Sequence, residues 1–265
     1  MEELSMTFVQ ELKEMYDCRS TFRALVIRDL FGRYKNSVIG FAWHFVLPII
    51  MMCVYYVVFN TIRASAVPNF WVYMSSGLFP FTFMIGNLNR GPAAITSNSG
   101  MVKKMYFPRS ILVLSEVASS FIIMLIGYVM VFIGMFLIGY DIGPSLVFLP
   151  VILVLMAIFV TGYVLFLSAV TVYIRDLQYL INSLSMVFYF MTPLYFMMSD
   201  VSGILTNLIA LNPFAYYVQA YQQILYFGTT PDANILIMCA VMPVISIVVG
   251  IIVFRRLRRG FAERL

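Results

Sequence analysis

The sequence predicts an all-α integral membrane protein. Six transmembrane helices follow an N-terminal amphipathic interface helix, with short re-entrant helices before the last span. Three observations predict this. Hydrophobic residues make up 62% of the 265-residue chain and charged residues 11%, against about 25% charged and 45–50% apolar in soluble domains; one soluble core of this size cannot take up so much apolar surface. Apolar runs recur at lengths close to the roughly 20 residues that cross about 30 Å of hydrocarbon. Lysine and arginine gather between those runs on one side only.

Residues 1–36 read as the cytoplasmic interface helix. Leu4, Phe8, Leu12, Met15 and Tyr16 recur at helical spacing, with Glu11, Lys13, Glu14 and Asp17 on the remaining face. Phe22, Val26 and Leu30 continue the apolar side, and Arg19 and Arg23 the polar one. The pattern suits a membrane surface and equally a partner's groove. Glu2, Glu3, Glu11 and Glu14 precede any apolar run, so this start does not have the form of a signal peptide.

Residues 37–265 form the six-span domain, with spans predicted at 38–62, 70–88, 111–138, 146–174, 184–198 and 235–254. The second carries Ser75, Ser76, Gly77 and Pro80, and the fifth is short and holds Pro193. Interrupted helices persist where they pack on protein or line a watery path, so these two are pathway candidates or simple packing kinks. Cytoplasmic loops hold the excess basic residues. Of seventeen Lys and Arg, sixteen fall in the N-terminal segment, the 90–110 connection, Arg175 and the 255–265 tail; Arg63 alone lies opposite. Both termini are therefore expected in the cytoplasm, as in a multi-pass protein of the cytoplasmic membrane. The net charge of +5 reports topology, with some anionic-lipid contact, rather than nucleic-acid binding. The outer segment 199–234 exceeds a simple turn. Its apolar halves, 204–211 and 214–227, predict two short re-entrant or interfacial helices hinged at Asn212-Pro213.

Span interiors are nearly free of charge. Glu116 is the acidic exception and lies near the cytoplasmic end of its span, while Asp141, Asp200 and Asp232 fall at span ends or in loops. An ion-coupled relay has little to work with. No glycine is followed by lysine, which excludes a phosphate-cradling G-x-x-x-x-G-K-[ST] loop. One histidine, His44, excludes HExxH, no GxSxG elbow occurs, and Cys18, Cys53 and Cys239 lack metal or disulfide spacing. No catalytic or metal-binding residue is predicted, and any uphill movement draws its energy from a partner. A carboxylate-based membrane enzyme or a scaffold is the reading from another class.

Several stretches carry a family resemblance. They are Arg33-Tyr34-Lys35-Asn36-Ser37-Val38-Ile39-Gly40-Phe41-Ala42-Trp43 with Pro48, the run from Met101 through Lys103, Lys104, Tyr106, Phe107 and Pro108 to Arg109, Arg175-Asp176, Thr192-Pro193, and Leu211-Asn212-Pro213-Phe214. In order and spacing the chain resembles the membrane subunits (permeases) of ABC-2 type transporters, in the branch exporting O-antigens, capsules and teichoic acids. The resemblance implies a transport subunit, not an enzyme: a membrane homodimer with two ATP-binding subunits that carry ATP and Mg, moving a lipid-linked glycan outward. Efflux of a small amphiphile or drug by a related permease is the alternative.

The 90–110 connection is longer than topology needs, so it is expected to dock on the ATPase through Lys103, Lys104, Tyr106, Phe107, Pro108 and Arg109; enforcing topology is their simpler role. Arg33, Tyr34 and Lys35, at the entry to the first span, suit an anionic lipid headgroup or plain interfacial anchoring. Arg175 and Asp176 suit a local or intersubunit ion pair, or a gate. Tyr55, Tyr56, Phe59, Phe79, Phe83, Tyr189 and Tyr195 are channel-lining candidates, because sugar C–H faces stack on rings; the interfacial aromatic belt is their other reading.

Overall fold

A computed structural model describes residues 13–14, 16–32, 40–63, 68–104 and 107–265. Eleven helices are defined among them: α1 Arg19–Gly32, α2 Trp43–Arg63, α3 Phe70–Arg90, α4 Ser99–Lys104, α5 Ser110–Leu137, α6 Leu149–Tyr173, α7 Leu177–Phe190, α8 Ile204–Ala210, α9 Pro213–Leu225, α10 Ala233–Leu257 and α11 Phe261–Arg264. The described residues contain no strand. Three stretches, Ser110–Leu137, Pro144–Tyr173 and Ala233–Gly260, are 28, 30 and 28 residues long and apolar enough to cross a membrane.

These three frame the bundle. Helices α6 and α10 pack along their whole lengths, because small residues let the backbones touch. A Cβ placed on Gly250 would lie 2.2 Å from the Gly162 carbonyl oxygen, and the Ser246 hydroxyl donates to the Phe159 carbonyl at 2.8 Å. Small residues bring membrane helices together in this way. Helix α3 sits at the centre, packed by α2, α5, α7 and α9. Val72, Met74, Phe81 and Met84 on it are fully or almost fully buried.

Helix α3 keeps a proline inside it, as does α10. An internal proline removes the N–H that would bond the carbonyl four residues earlier. For Pro80 that orphan is Ser76, whose carbonyl accepts the Tyr128 hydroxyl of α5 at 2.8 Å. For Pro243 it is Cys239, whose carbonyl accepts the Tyr217 hydroxyl of α9 at 3.2 Å. In both cases a neighbouring helix supplies the missing donor, as an apolar surround demands.

The predicted fifth span is corrected. The helix runs Leu177–Phe190, not 184–198, and breaks at Thr192-Pro193. Polar Gln178, Asn182 and Ser183 disguised its start; Pro193, with no N–H, stops its continuation. The break is held by α9: Gln222 donates to the Pro193 carbonyl (2.7 Å) and Asn212 to the Thr192 hydroxyl (2.9 Å), which itself donates to the Phe188 carbonyl (2.7 Å). At 14 residues and about 1.5 Å each, α7 is shorter than a full crossing.

Two short helices follow, as expected of 199–234. The Asn212 side chain caps α9 by accepting the Phe214 N–H at 3.0 Å, with Pro213 in the first turn. Helix α9 is buried, whereas α8 exposes Ile204, Leu205 and Leu208. Beyond α9, Tyr226 donates to the Pro68 carbonyl (2.8 Å), and its own carbonyl accepts from Tyr140 (2.6 Å). Burial raises the pKa of both hydroxyls above the usual value near 10, and for Tyr140 proximity to Tyr226 adds to this; both therefore donate as neutral phenols.

Of the predicted helix at 1–36, residues 13–14 and 16–32 are described and include α1; residues 1–12, Met15 and residues 33–36 lie outside the described residues. Val26 and Leu30 of its predicted apolar face are buried together with Leu25, and Phe22 is half-buried. That face packs on α5; a second stripe, Ile27 and Phe31, is exposed.

Candidate functional site

The 90–110 connection folds into two 3-10 turns, Gly91–Ala93 and Thr96–Asn98, followed by α4. Gly91 allows the first turn to press on α6, since a Cβ there would sit 2.6 Å from Val164. Val102 is buried, Met101 half-buried, and Lys103 exposed. Helix α1 is tied to this connection: the Arg28 guanidinium donates to Asn98 Oδ1 at 3.1 Å and reaches Met101 Sδ at 3.5 Å, while also pairing with Asp29 at 2.9 Å.

Where the connection re-enters the bundle, Phe107, Pro108 and Arg109 are half-buried. The Arg109 guanidinium donates to the Arg258 carbonyl and lies 5.8 Å above the Phe261 ring. Phe261 is fully buried between Phe254 (5.7 Å) and Tyr173 (6.4 Å). The Tyr173 hydroxyl donates to the Leu257 carbonyl at 2.8 Å, and Arg264 lies 5.8 Å over its ring. The basic tail is thus folded back onto the ends of α6 and α10 and onto the connection. One contiguous layer joins α1, residues 90–110 and residues 258–265.

Tyr106 and the Lys104 side chain lie outside the described residues, as do Arg33, Tyr34 and Lys35 and the side chains of Tyr55, Tyr56 and Phe59. Among the other lining candidates, Phe79 (7% exposed) and Phe83 (3%) are interior packing groups. Phe79 fills the space above Gly127, where a Cβ would come within 2.3 Å of its ring, and Phe83 meets Phe121 edge-on at 5.6 Å. Neither ring face is open to a passing sugar within the protomer. Tyr189 and Tyr195 are half-buried, hydroxyl to hydroxyl, with Phe81 edge-on to Tyr189 at 5.5 Å. Arg175 and Asp176 are both exposed in the bend between α6 and α7. No ion pair joins them among the described residues, so the local pair is replaced by two solvated charges. Their intersubunit form is untouched by this.

Three elements escaped the sequence reading. Glu116 is bound to Arg90 at 2.9 Å, a pairing across helices that spacing does not reveal. Arg28 and Phe261 became hubs through long-range contacts. Only the aromatic in an otherwise basic tail signalled the second.

A family model for the ABC-2 type transporter matches residues 20–226. The chain belongs to the ABC-2 type transporter family. It is similar along nearly its full length to the O-antigen export system permease protein RfbA of Myxococcus xanthus, at 29% identity over 260 residues, covering 96% of this chain and 99% of that protein. Two proteins of the same name from Klebsiella pneumoniae are 27% identical over 258 residues, covering 95% of this chain and 98% of theirs. The ABC-2 match takes in all but the first residue of α1, the 90–110 layer and helices α8 and α9; the tail that carries Phe261 lies beyond it.

Proposed function

We propose that this chain is the membrane subunit of an ATP-driven exporter that moves a lipid-linked polysaccharide of the O-antigen class outward across the cytoplasmic membrane. The observation that carries this reading is the near-complete coverage, in both directions, of relatives named O-antigen export permeases. Nothing in those relatives favours the small-amphiphile alternative. The reading makes the chain a transport subunit whose ATP and Mg sit on partner chains, in keeping with the missing phosphate-binding motif.

Six crossings fit the three long apolar stretches together with α2 and α3, each 21 residues and so about 31 Å long, and the interrupted α7. Sixteen basic residues on one side put both termini in the cytoplasm, and α8 and α9 at the outer side as the re-entrant pair. The active unit is a homodimer with two ATP-binding subunits. Residues 90–110 receive the ATPase, and the layer shared with α1 and residues 258–265 spreads its movement into the bundle. Arg33, Tyr34 and Lys35 meet the lipid headgroup; Tyr55, Tyr56 and Phe59 of α2 and Tyr189 and Tyr195 remain the lining set. Affinity purification of the tagged chain from solubilised membranes tests the assembly. An ATP-binding subunit should come with it in equal amount, and recovery of the chain without any ATPase would refute the reading.

A further inference from the structure

Helix α10 has two unlike sides. Ile235, Cys239, Pro243, Gly250 and Phe254 are buried, and the helix packs chiefly on α6 and α9. Ile237, Val241, Val244, Val248 and Ile252 recur at steps of four and three residues and are exposed, which makes one straight apolar stripe. The same spacing carries the stripe on to Arg256, four residues beyond Ile252, and Arg259, three beyond that; both are exposed. From Ile237 to Arg256 the helix rises about 28 Å at 1.5 Å per residue, close to the roughly 30 Å of hydrocarbon. The two guanidiniums therefore stand where hydrocarbon gives way to headgroups.

Neither guanidinium has an acceptor among the described residues. The ion pairs given there are Arg28 with Asp29 and Arg90 with Glu116, whereas Arg255 and Arg258 are half-buried and partnered within the chain. A helix C-terminus ordinarily offers arginine its open carbonyls, but here three of them are taken. The Phe254 carbonyl accepts the Arg258 N–H, the Leu257 carbonyl accepts the Tyr173 hydroxyl at 2.8 Å, and the Arg258 carbonyl accepts the Arg109 guanidinium. Two like charges thus face outward together at the end of an apolar stripe, and no described group offsets them.

We infer that this end of α10 binds one acidic phospholipid, its phosphate bridging Arg256 and Arg259 and its acyl chains lying along Val244, Val248 and Ile252. Guanidinium N–H groups grip phosphate oxygens in pairs, and basic residues at this depth attract anionic headgroups. A choline or ethanolamine headgroup brings its own cation to the arginine pair, and a free phosphate leaves the stripe bare. A lipid of net negative charge satisfies both features. The bound headgroup joins the last turn of α10 to the 3-10 turn Arg258–Gly260, and so steadies the tail that sets Phe261 beneath Arg109. Nothing in this site depends on the export reading.

The test uses the assembled transporter with Cys18→Ser, Cys53→Ser and Cys239→Ala, carrying either Ile252→Cys or Ile237→Cys labelled with bimane. Nanodiscs of phosphatidylcholine receive dibrominated phosphatidylglycerol or dibrominated phosphatidylcholine, whose bromines quench a fluorophore in contact with them. At position 252 the glycerol lipid should be preferred by at least about tenfold. At position 237, the far end of the same stripe, the two should quench alike, and Arg256→Gln/Arg259→Gln should bring position 252 to the same equality. Equal quenching at 252 in the unsubstituted background overturns the site, whether the ATPase or nothing covers the arginines. A preference of the same size at 237, or one that survives the double substitution, overturns it too. Loss of the preference in millimolar inorganic phosphate would make the pair a free-phosphate site and overturn the lipid. Amide exchange of the peptide 258–265 should be slower in discs containing phosphatidylglycerol than in phosphatidylcholine alone; equal exchange would overturn the steadying of the tail.

Discussion

Replacing Tyr128 by phenylalanine removes one oxygen and leaves the ring in place. In the structure that oxygen donates at 2.8 Å to the Ser76 carbonyl, the group that Pro80 leaves without its helical partner. Tyr128 is 3% exposed and Ser76 fully buried, so water cannot substitute. Leaving a buried acceptor unpaired costs about 1–3 kcal/mol, and Tyr128→Phe should lower stability by that amount. The reasoning has a sharper consequence. In a Pro80→Ala chain the restored N–H at position 80 bonds Ser76 directly, so the same Tyr128→Phe change should then cost under about 0.5 kcal/mol. The double-mutant cycle should therefore show coupling of about 1–2 kcal/mol. Reversible unfolding in mixed dodecyl maltoside and SDS micelles, followed by tyrosine fluorescence, measures all four corners. An equal cost of Tyr128→Phe in both backgrounds would refute the claim that the hydroxyl replaces the proline's missing donor.

Four further outcomes are expected. Gly250→Ala forces its methyl from 2.2 Å to an ordinary 3.4 Å from the Gly162 backbone, which should cost about 1–3 kcal/mol in the same unfolding assay. Gly100→Ala, with nothing within 4 Å, should be neutral or slightly stabilising. Phe261→Ala empties the pocket beneath Arg109 and should uncouple the complex: ATPase activity and subunit association persist while glycan export falls at least about tenfold, from the roughly 3–5 kcal/mol such a deletion removes from the packed layer. Because burial raises the Tyr140 and Tyr226 hydroxyl pKa values, their contribution is intact below about pH 10 and lost as pH climbs toward the folded-state values. A Tyr140→Phe/Tyr226→Phe chain should show a flatter alkaline stability profile in thermal denaturation from pH 8 to 11.

Helices whose apolar residues dominate were legible in the sequence to within a few residues, because hydrocarbon length fixes their extent; 111–138 against Ser110–Leu137 is an example. The hinge at Asn212-Pro213 was legible because cap and proline chemistry is local. Helix α7 was displaced by seven residues at its start because Gln178, Asn182 and Ser183 lower local apolarity. Phe79 and Phe83 read as lining because rings in a weak span attract that role, yet Gly127 and Phe121, distant in sequence, give them interior partners. The tail reads as a topology signal, and its closure over Phe261 depends on Arg109 and Tyr173, 152 and 88 residues away. Side-chain identity thus fixed the short-range elements, and the layer of α1, residues 90–110 and residues 258–265 arose from contacts between segments far apart in the chain.

The central claim, that this chain carries a lipid-linked glycan across the membrane, is tested most directly in cells from which it has been deleted. Radiolabelled lipid-linked glycan should accumulate on the cytoplasmic face, inaccessible to externally added glycosidase, and clear when the chain is restored. Glycan that still reaches the outer face at normal levels in the deleted cells would contradict the account.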